Sequence, residues 1–379
     1  MFAENEKISI RQVKSLLFLD WIGKLLLLLP VLCRPLTGWN FLATVALGIF
    51  WLFFYLFFIG KMSGRIGKSF SGYLQNRFGK GTSYVIGMIF LIYLFLNQTY
   101  LARMTARICR VFLLPELSET MLAVLVLLAG VAAAKGSGQK RARLARCLAA
   151  PVGAALILML IASAFAVNTD HLRPDTHMEV WQVIRKSGLV FASFAAVTMV
   201  LYEAPYINWN AKKHGNVLRH CVKMTPIFLL LAFLTALGTL GQKSLLLLDW
   251  PVVTMMGDVK LPGNFLQRWD TVFLAFLLFS LFFASGTCCH YVERVVRELL
   301  PGKNNHPVLP VIFALMTALV FLCHSYEQAA EWFVQYAVKG AVPLMLALPV
   351  ILWLAECVKK GGKDSKYERK VWKTKEDKT

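Results

Sequence analysis

Long apolar stretches alternate with short polar connections along most of the chain. A helix needs roughly 20 apolar residues to cross the hydrocarbon core of a bilayer. Ten segments meet this requirement. The predicted spans are 12–32, 40–60, 83–110, 118–135, 147–167, 184–207, 224–241, 269–292, 307–324 and 333–358. The pattern therefore predicts an all-α integral membrane protein with about ten transmembrane helices.

The composition supports the membrane class and decides what the positive charge means. Hydrophobic residues make up 57% of the chain and charged residues 16%, against roughly a quarter charged in soluble domains. A net charge of +20 could indicate a nucleic-acid partner. The basic residues, however, lie in the connections between apolar runs and in the C-terminal stretch. We therefore expect a lipid bilayer as the surroundings and no nucleic-acid partner.

The distribution of basic residues also predicts the orientation. Most of the 41 Lys and Arg residues fall in alternate connections, starting with the N-terminal segment and ending with the C-terminal stretch. Because short basic connections are retained in the cytoplasm, both termini are predicted to be cytoplasmic. Residues 1–358 are predicted to form the transmembrane domain. Residues 359–379 are rich in charge and poor in apolar residues, which predicts a disordered, basic cytoplasmic tail.

Charged residues within the spans are candidates for function. Asp20 and Lys24 lie one helical turn apart in the first span, so their side chains can share a helix face. A cation in a span costs about 2.5 to 3.5 kcal/mol unless it is paired or faces water. The two residues could form a structural pair or part of a site. Glu203 ends the sixth span as a second candidate charge partner, with snorkelling to the surface as the alternative.

Motifs of soluble catalysis are missing from the sequence. It contains no nucleophile elbow, zinc motif or phosphate-binding loop. The eight cysteines form no CxxC pair and have no histidine at metal-ligand spacing. We predict a protein that is not an enzyme and that uses no cofactor and no metal.

Ten spans with a glycine in the first resemble transporters made of two inverted repeats, in which the first helix of each half is broken around the substrate. We therefore predict a LeuT-like 5+5 inverted repeat with helices 1 and 6 broken. Polar residues of the third span could line the same cavity or pack against other helices. The candidate ligand-binding residues are Ile22, Gly23, Lys24, Tyr93, Asn97, Ala195, Ala196, Val197 and Thr198.

Several short motifs, taken in order, resemble one family. In the first half they are Lys7-Ile8-Ser9-Ile10-Arg11-Gln12 with Ile22-Gly23 and Leu29-Pro30, then Ser69 to Leu74 with Phe78-Gly79-Lys80, then Gly136 to Arg146 with Pro151. The sixth span ends at Pro205-Tyr206. The eighth span is preceded by Leu261-Pro262 and Phe265 and begins around Arg268-Trp269-Asp270. Together they resemble the spore germination permeases. These are the B subunits of GerA-type germinant receptors, within the amino acid-polyamine-organocation superfamily.

The resemblance implies a nutrient-sensing subunit that binds a small germinant, an amino acid in the first instance, and triggers germination. It also implies a membrane-embedded A subunit, a C lipoprotein and the inner membrane of a spore. Two departures fall at the predicted pocket: Ala196-Val197-Thr198 replaces the family's Gly-Tyr-Glu-like turn, and Lys24 replaces a small neutral residue. The alternatives are an autonomous amino acid transporter, with or without proton coupling, and a structural subunit that has lost its pocket.

Overall fold

The computed structural model describes residues 7–173, 179–209, 214–258, 269–300 and 308–355, and their regular structure is helical apart from a β-bridge between Ile8 and Ile207. In chain order the α-helices are α1 (Ile10–Cys33), α2 (Gly38–Ser63), α3 (Phe70–Phe78), α4 (Lys80–Phe112), α5 (Glu119–Ala134), α6 (Gly138–Ala164), α7 (Val180–Ser193), α8 (Val200–Glu203), α9 (His214–Val222), α10 (Met224–Leu247), α11 (Pro251–Asp258), α12 (Trp269–Leu299), α13 (Val308–Leu322) and α14 (Tyr326–Trp332). Three 3₁₀ segments (Thr169–Leu172, Ala195–Met199 and Ala204–Tyr206) and a π-helix (Phe333–Ala341) complete the set. After the π-helix the chain returns to α-helix as far as residue 355.

Eight helical segments within the described residues are long and apolar enough to cross a membrane, and α5 and α13 are shorter apolar helices. Together they correspond to the ten predicted spans, which confirms the prediction of an all-α membrane protein. The predicted tail at 359–379 and the motif residues 261–268 lie outside the described residues.

The start of α1 is encoded by the Ser-x-x-Gln part of the N-terminal motif. The Gln12 N–H donates to Ser9 Oγ (3.4 Å), and the Ser9 N–H donates to Gln12 Oε1 (2.8 Å). This reciprocal capping box satisfies donors that a helix N-terminus otherwise leaves free. A motif first noted as a family resemblance therefore has a local physical role.

The predicted break in the first span is wrong. Helix α1 is continuous from Ile10 to Cys33 and passes through Ile22, Gly23 and Lys24 without interruption. The main chain around Gly23 is instead supported from another helix. The Gly23 N–H donates to Ser280 Oγ of α12 (3.0 Å), and that hydroxyl donates to the Leu19 carbonyl (2.7 Å). The hydroxyl thus lies between the Gly23 N–H and the Leu19 carbonyl, which are i and i−4 partners in an α-helix. A side chain inserted at such a pair can bend the helix without breaking it.

The predicted break in the sixth span is confirmed. Helix α7 ends at Ser193, a 3₁₀ segment covers Ala195–Met199, and the short α8 follows. The span then ends in a second 3₁₀ turn, Ala204–Tyr206, which contains Pro205 near its start. Proline has no N–H to donate, so it favours this ending of the helix.

Two further irregularities were not predicted. Gly241 interrupts α10 with a positive φ of 74°, a conformation that side chains other than glycine rarely adopt. The last span contains the π-helix Phe333–Ala341, which packs against α4 and α7. Insertions of this kind are frequent at functional sites.

The connections lie at two ends of the bundle, in alternation. One end, here called the basic end, brings Ile8, the α5–α6 connection, the end of the sixth span and the end of α12 around one cavity. At the opposite end, Arg34 after α1 pairs with Asp249 after α10 (2.9 Å), and Trp39 of α2 donates to the Leu172 carbonyl after α6 (2.9 Å). The contacts agree with the alternation predicted from the basic residues; that the basic end is cytoplasmic stays a prediction.

Helix α1 lies at the centre of the bundle. It packs against α6, α7, α9, α10 and α12. In its most apolar stretch of 18 residues, 89% of the residues are buried. The corresponding share for α6 is 22%, at a similar mean hydropathy of 2.3 against 2.1 for α1. The charged residues of the first span are therefore held in the interior of the protein, and most of α6 faces outwards.

Candidate functional site

The central feature is an ion pair inside α1. Lys24 Nζ lies 3.4 Å from Asp20 Oδ2, and the two side chains are 7% and 9% exposed. The i,i+4 pairing predicted from the sequence is confirmed. A buried ion pair lacks the solvation that water provides, so each charge depends on the other for its stability.

Gly23, next to Lys24, allows α1 and α12 to approach closely. A Cβ atom at this position would lie 2.7 Å from Ser280 Oγ and 3.0 Å from Ser280 Cβ. The glycine was predicted to open the first helix towards the sixth span, but it faces α12. Its function in the fold is close helix packing, a common role of glycine in membrane helices.

The polar residues of α4 also face α12. Asn97 Nδ2 lies 3.5 Å from Cys288 Sγ, and Gln98 Nε2 donates to Ser285 Oγ (2.6 Å). Tyr93 is fully buried, with its ring 6.4 Å from that of Phe333 in the π-helix. Tyr93 and Cys288 are both electrostatic neighbours of Asp20. The predicted residues of α1 and α4 therefore belong to one polar region that also includes part of α12.

The break in the sixth span makes a different set of contacts. All five of its residues are buried, and Thr198 Oγ1 lies 3.0 Å from the Tyr55 hydroxyl of α2. That hydroxyl also donates to the Met345 carbonyl of the last span (3.4 Å). The break is linked to α1 through Phe194, whose ring lies edge-on to Trp21 at 5.3 Å. The predicted site residues thus fall into two neighbouring groups that meet at this aromatic contact.

Glu203, at the end of α8, faces a histidine. Its Oε1 lies 3.0 Å from His290 Nε2 of α12. Arg141 near the start of α6 donates to Thr287 Oγ1 (2.7 Å) and is an electrostatic neighbour of both Glu203 and Asp20. Charged groups therefore extend from the middle of α1 towards the basic end.

Sequence reasoning missed the residues that α12 contributes. Ser280, Thr287 and Tyr291 recur at spacings of seven and four in a run that was treated as apolar. These spacings place residues on one helical face. This row of polar residues could have indicated that one face of α12 is polar and lies towards the interior of the bundle. Among the described residues, no three His, Cys, Asp or Glu side chains are placed to hold a metal ion.

Comparison with known proteins gives consistent findings. A family model described as spore germination protein matches residues 7–331. The chain is 20% identical to spore germination protein YndE of Bacillus subtilis (strain 168) over 311 residues, which cover 80% of this chain and 83% of that protein. It is also 20% identical to spore germination protein B2 of the same organism over 333 residues, which cover 86% of this chain and 87% of that protein.

Among solved structures, the chain resembles the substrate-bound outward-open state of a Na⁺-coupled sialic acid symporter. The TM-score is 0.57 at 12% identity, covering 90% of this chain and 76% of the symporter. At this identity the similarity concerns the fold alone, and it confirms the LeuT-like architecture. Since the family model extends over most of the length of this multi-pass membrane protein, the chain belongs to the spore germination protein family.

Proposed function

We propose that the chain is the nutrient-binding membrane subunit of a spore germinant receptor and that it has no enzymatic activity. It binds an amino acid in the bundle core, between α1, α4 and the break in the sixth span. It acts with a membrane-embedded A subunit and a C lipoprotein in the inner membrane of the spore, with both termini in the cytoplasm. Family membership and the names of the two relatives support the role in germination.

The buried Asp20–Lys24 pair is the observation that carries the ligand class. An amino acid has an ammonium group that a carboxylate can bind and a carboxylate that a lysine can bind. Insertion of this zwitterion between the two side chains keeps every buried charge paired, which a singly charged ligand cannot do. The pair therefore favours a zwitterion over a sugar or a simple ion.

The sixth span supplies a second element of the proposed site. At the junctions of α7, the 3₁₀ segment Ala195–Met199 and α8, the hydrogen-bonding pattern changes, and main-chain groups at such junctions can bind ligands. The residues of this segment, which include the small Ala195, Ala196 and Thr198, are buried in the bundle core. Trp21 and Tyr93 provide aromatic surfaces on the α1 and α4 sides.

Signalling follows from differential binding. The end of the sixth span is held to α12 through Glu203 and His290, and to the N-terminal segment through the Ile8 N–H, which donates to the Tyr206 carbonyl (2.7 Å). A ligand with higher affinity for a second conformation, in which the 3₁₀ segment has shifted, would weaken these contacts. It would thereby shift the conformational equilibrium towards that second conformation. The altered basic end would then be presented to the partner subunits.

The second candidate is an autonomous amino acid transporter. The charged groups that continue from Asp20 past Arg141 to Glu203 favour it, because ionisable chains within a membrane often mark pathways. A structural subunit without a pocket is the third, favoured by the close contact of Gly23 with Ser280. Uptake of labelled amino acid into proteoliposomes that contain this chain alone would favour the transporter over the receptor.

Calorimetric titration of the purified chain with the standard amino acids tests the proposal. We expect saturable binding of one or a few of them, reduced about ten- to hundredfold by Lys24→Met or Asp20→Asn, since each removes a charge-assisted hydrogen bond to the ligand. Lys80→Met, at an exposed position at the start of α4, is the matched control and should not change the affinity. If no amino acid binds to the folded wild-type chain, alone or co-purified with its partner subunits, the proposal of an amino acid site is wrong.

A further inference from the structure

A polar cavity lies at the basic end, apart from the Asp20–Lys24 pair. Its volume is about 310 Å³, at the lower end of the range of roughly 300 to 1,000 Å³ that small-molecule sites occupy. It lies between the N-terminal segment, the start of α6, the end of the sixth span and α12. The charged and aromatic residues of its lining are Glu203, Tyr206, His290, Glu293, Arg294 and Arg297.

Two nitrogen atoms of this lining are buried without a hydrogen-bond partner among the described residues. They are His290 Nδ1 and Arg294 Nε. The other ring nitrogen of His290 contacts Glu203, so the orientation of the imidazole is fixed. A buried polar atom without a partner is costly, and a ligand with an acceptor oxygen would satisfy the Arg294 Nε–H.

Each of the two carboxylates of the cavity already has a side-chain partner. Glu203 contacts His290 at 3.0 Å, and Glu293 contacts Arg297 at 2.8 Å. Arg294 forms no ion pair within 4.0 Å among the described residues. Among the described residues of the lining, Arg294 is therefore a cation without direct contact to a carboxylate, and it acts on Glu203 and Glu298 only at longer range.

Arg294 is also held in place for such a ligand. Its guanidinium lies 3.7 Å from the ring centroid of Tyr206, a stacking arrangement that orients the planar fork. On the other side, α6 begins at Gly138, and a Cβ there would lie 3.8 Å from Glu203 Oε2 and 3.9 Å from His290 Nε2. The positive end of the α6 dipole is thus next to the Glu203–His290 pair and favours negative charge there.

We propose that this cavity is a binding site for a small anion with a carboxylate or phosphate group, with Arg294 as its anchor. The guanidinium fork binds two oxygens of the anion. Because His290 Nε2–H donates to Glu203, His290 Nδ1 is an acceptor and binds a protonated oxygen, such as the P–OH of hydrogen phosphate. The site is separate from the proposed amino acid site, since neither Asp20 nor Lys24 lines it. Because Tyr206 also accepts the hydrogen bond of Ile8, a bound anion stabilises the joined arrangement of the N-terminal segment, the sixth span and α12.

Titration of the purified full chain with inorganic phosphate and, separately, with succinate tests the site at constant ionic strength. Calorimetry and ligand-dependent thermal stability are the two readouts. We expect saturable binding of at least one probe, and the stronger probe identifies the chemistry as phosphate or carboxylate. Arg294→Gln should weaken binding at least about tenfold, the effect of losing a charge-assisted, bidentate contact.

Arg143→Gln is the matched control, because Arg143 lies on the exposed face of α6 near the same end and does not line the cavity. It should leave the affinity within about twofold, the small effect of a screened surface charge. Arg294→Lys keeps the charge without the fork and should give an intermediate affinity, which guards against misfolding of the glutamine variant. Equal loss in the Arg143 and Arg294 variants, or no saturable binding of either probe, would overturn the proposal. Loss of amino acid binding by Lys24→Met should leave the anion affinity unchanged, so the two proposals can fail independently.

Discussion

The first and sixth spans were predicted to be equivalent, and they differ in how their main chains are supported. Helix α1 stays continuous through Gly23, while the sixth span changes to a 3₁₀ segment at Ala195–Met199. In α1, the Ser280 hydroxyl of α12 contacts both groups of one helical pair. No such inserted hydroxyl was found at the described residues of the break, where Thr198 is bound to Tyr55 by its side chain instead.

The difference shows that small residues in a membrane helix can lead either to close helix packing or to a change of main-chain conformation. Gly23 and the alanines of the break all have little side-chain bulk, and at Gly23 the Ser280 side chain of α12 lies against the main chain. Where the space is filled by a polar side chain, the helix keeps its form and the helices approach closely. At the break the main chain changes conformation, so the sixth span is the more adaptable of the two.

The largest expected effect is on the ion pair that distinguishes α1. Lys24→Met leaves the Asp20 carboxylate buried and unpaired, which should lower the free energy of unfolding by roughly 3 to 5 kcal/mol. Thermal unfolding of the purified protein in detergent measures it. The double variant Asp20→Asn with Lys24→Met should recover most of the loss, because neither charge then remains.

An exposed pair of similar spacing provides the comparison. Asp170 and Arg173 pair at 2.9 Å with side chains that are 67% and 81% exposed, so Asp170→Asn should change the unfolding free energy by about 0 to 1 kcal/mol. If Lys24→Met and Asp170→Asn had equal effects, the view of α1 as a buried central helix would be wrong.

An intermediate effect is expected at the contact between α1 and α12. Gly23→Ala places a methyl group 2.7 Å from Ser280 Oγ, and this overpacking should cost about 1 to 3 kcal/mol. Gly153→Ala in α6 is the matched control, because no atom lies within 4 Å of its new Cβ. We expect that variant to be neutral or slightly more stable in the same unfolding assay.

A second substitution separates packing from conformation. Combining Gly23→Ala with Ser280→Gly removes the atoms that the methyl group meets, so part of the stability should return. A double variant as unstable as the sum of the two single variants would show that α1 itself, and not the contact, requires glycine at this position.

The smallest effect is expected in the sixth span. Thr198→Val removes the hydrogen bond to Tyr55, which keeps its 3.4 Å contact with the Met345 carbonyl, and should cost about 0.5 to 1.5 kcal/mol. In a Tyr55→Phe background the same substitution should have almost no further effect. If Thr198→Val lowered the free energy of unfolding as much as Lys24→Met, the conformation of the break would be held as firmly as that of α1.

Much of the fold was predictable because it depends on local properties. Apolar length predicted the ten spans, and the i,i+4 spacing predicted the Asp20–Lys24 pair. Pro205 and the small residues before it indicated the irregular sixth span. The π-helix at Phe333–Ala341 had no comparable signal, since its sequence is compatible with an ordinary helix.

The candidate site was predictable in part. Asp20, Lys24, Asn97 and Thr198 are all buried, yet their partners were not foreseen. Ser280 is 257 positions from Gly23, and Glu203 is 87 positions from His290. Local patterns carry no information about pairs so far apart.

The amino-acid sequence by itself determined that this protein crosses the membrane, where its helices lie and how its connections alternate between two ends. It could do so because a helix in lipid must satisfy its own main chain, which makes apolar length and basic flanks sufficient signals. The tertiary structure alone decided that the first span stays whole. That outcome depends on whether a polar side chain from a distant helix reaches the main chain, and Ser280 reaches it at Gly23.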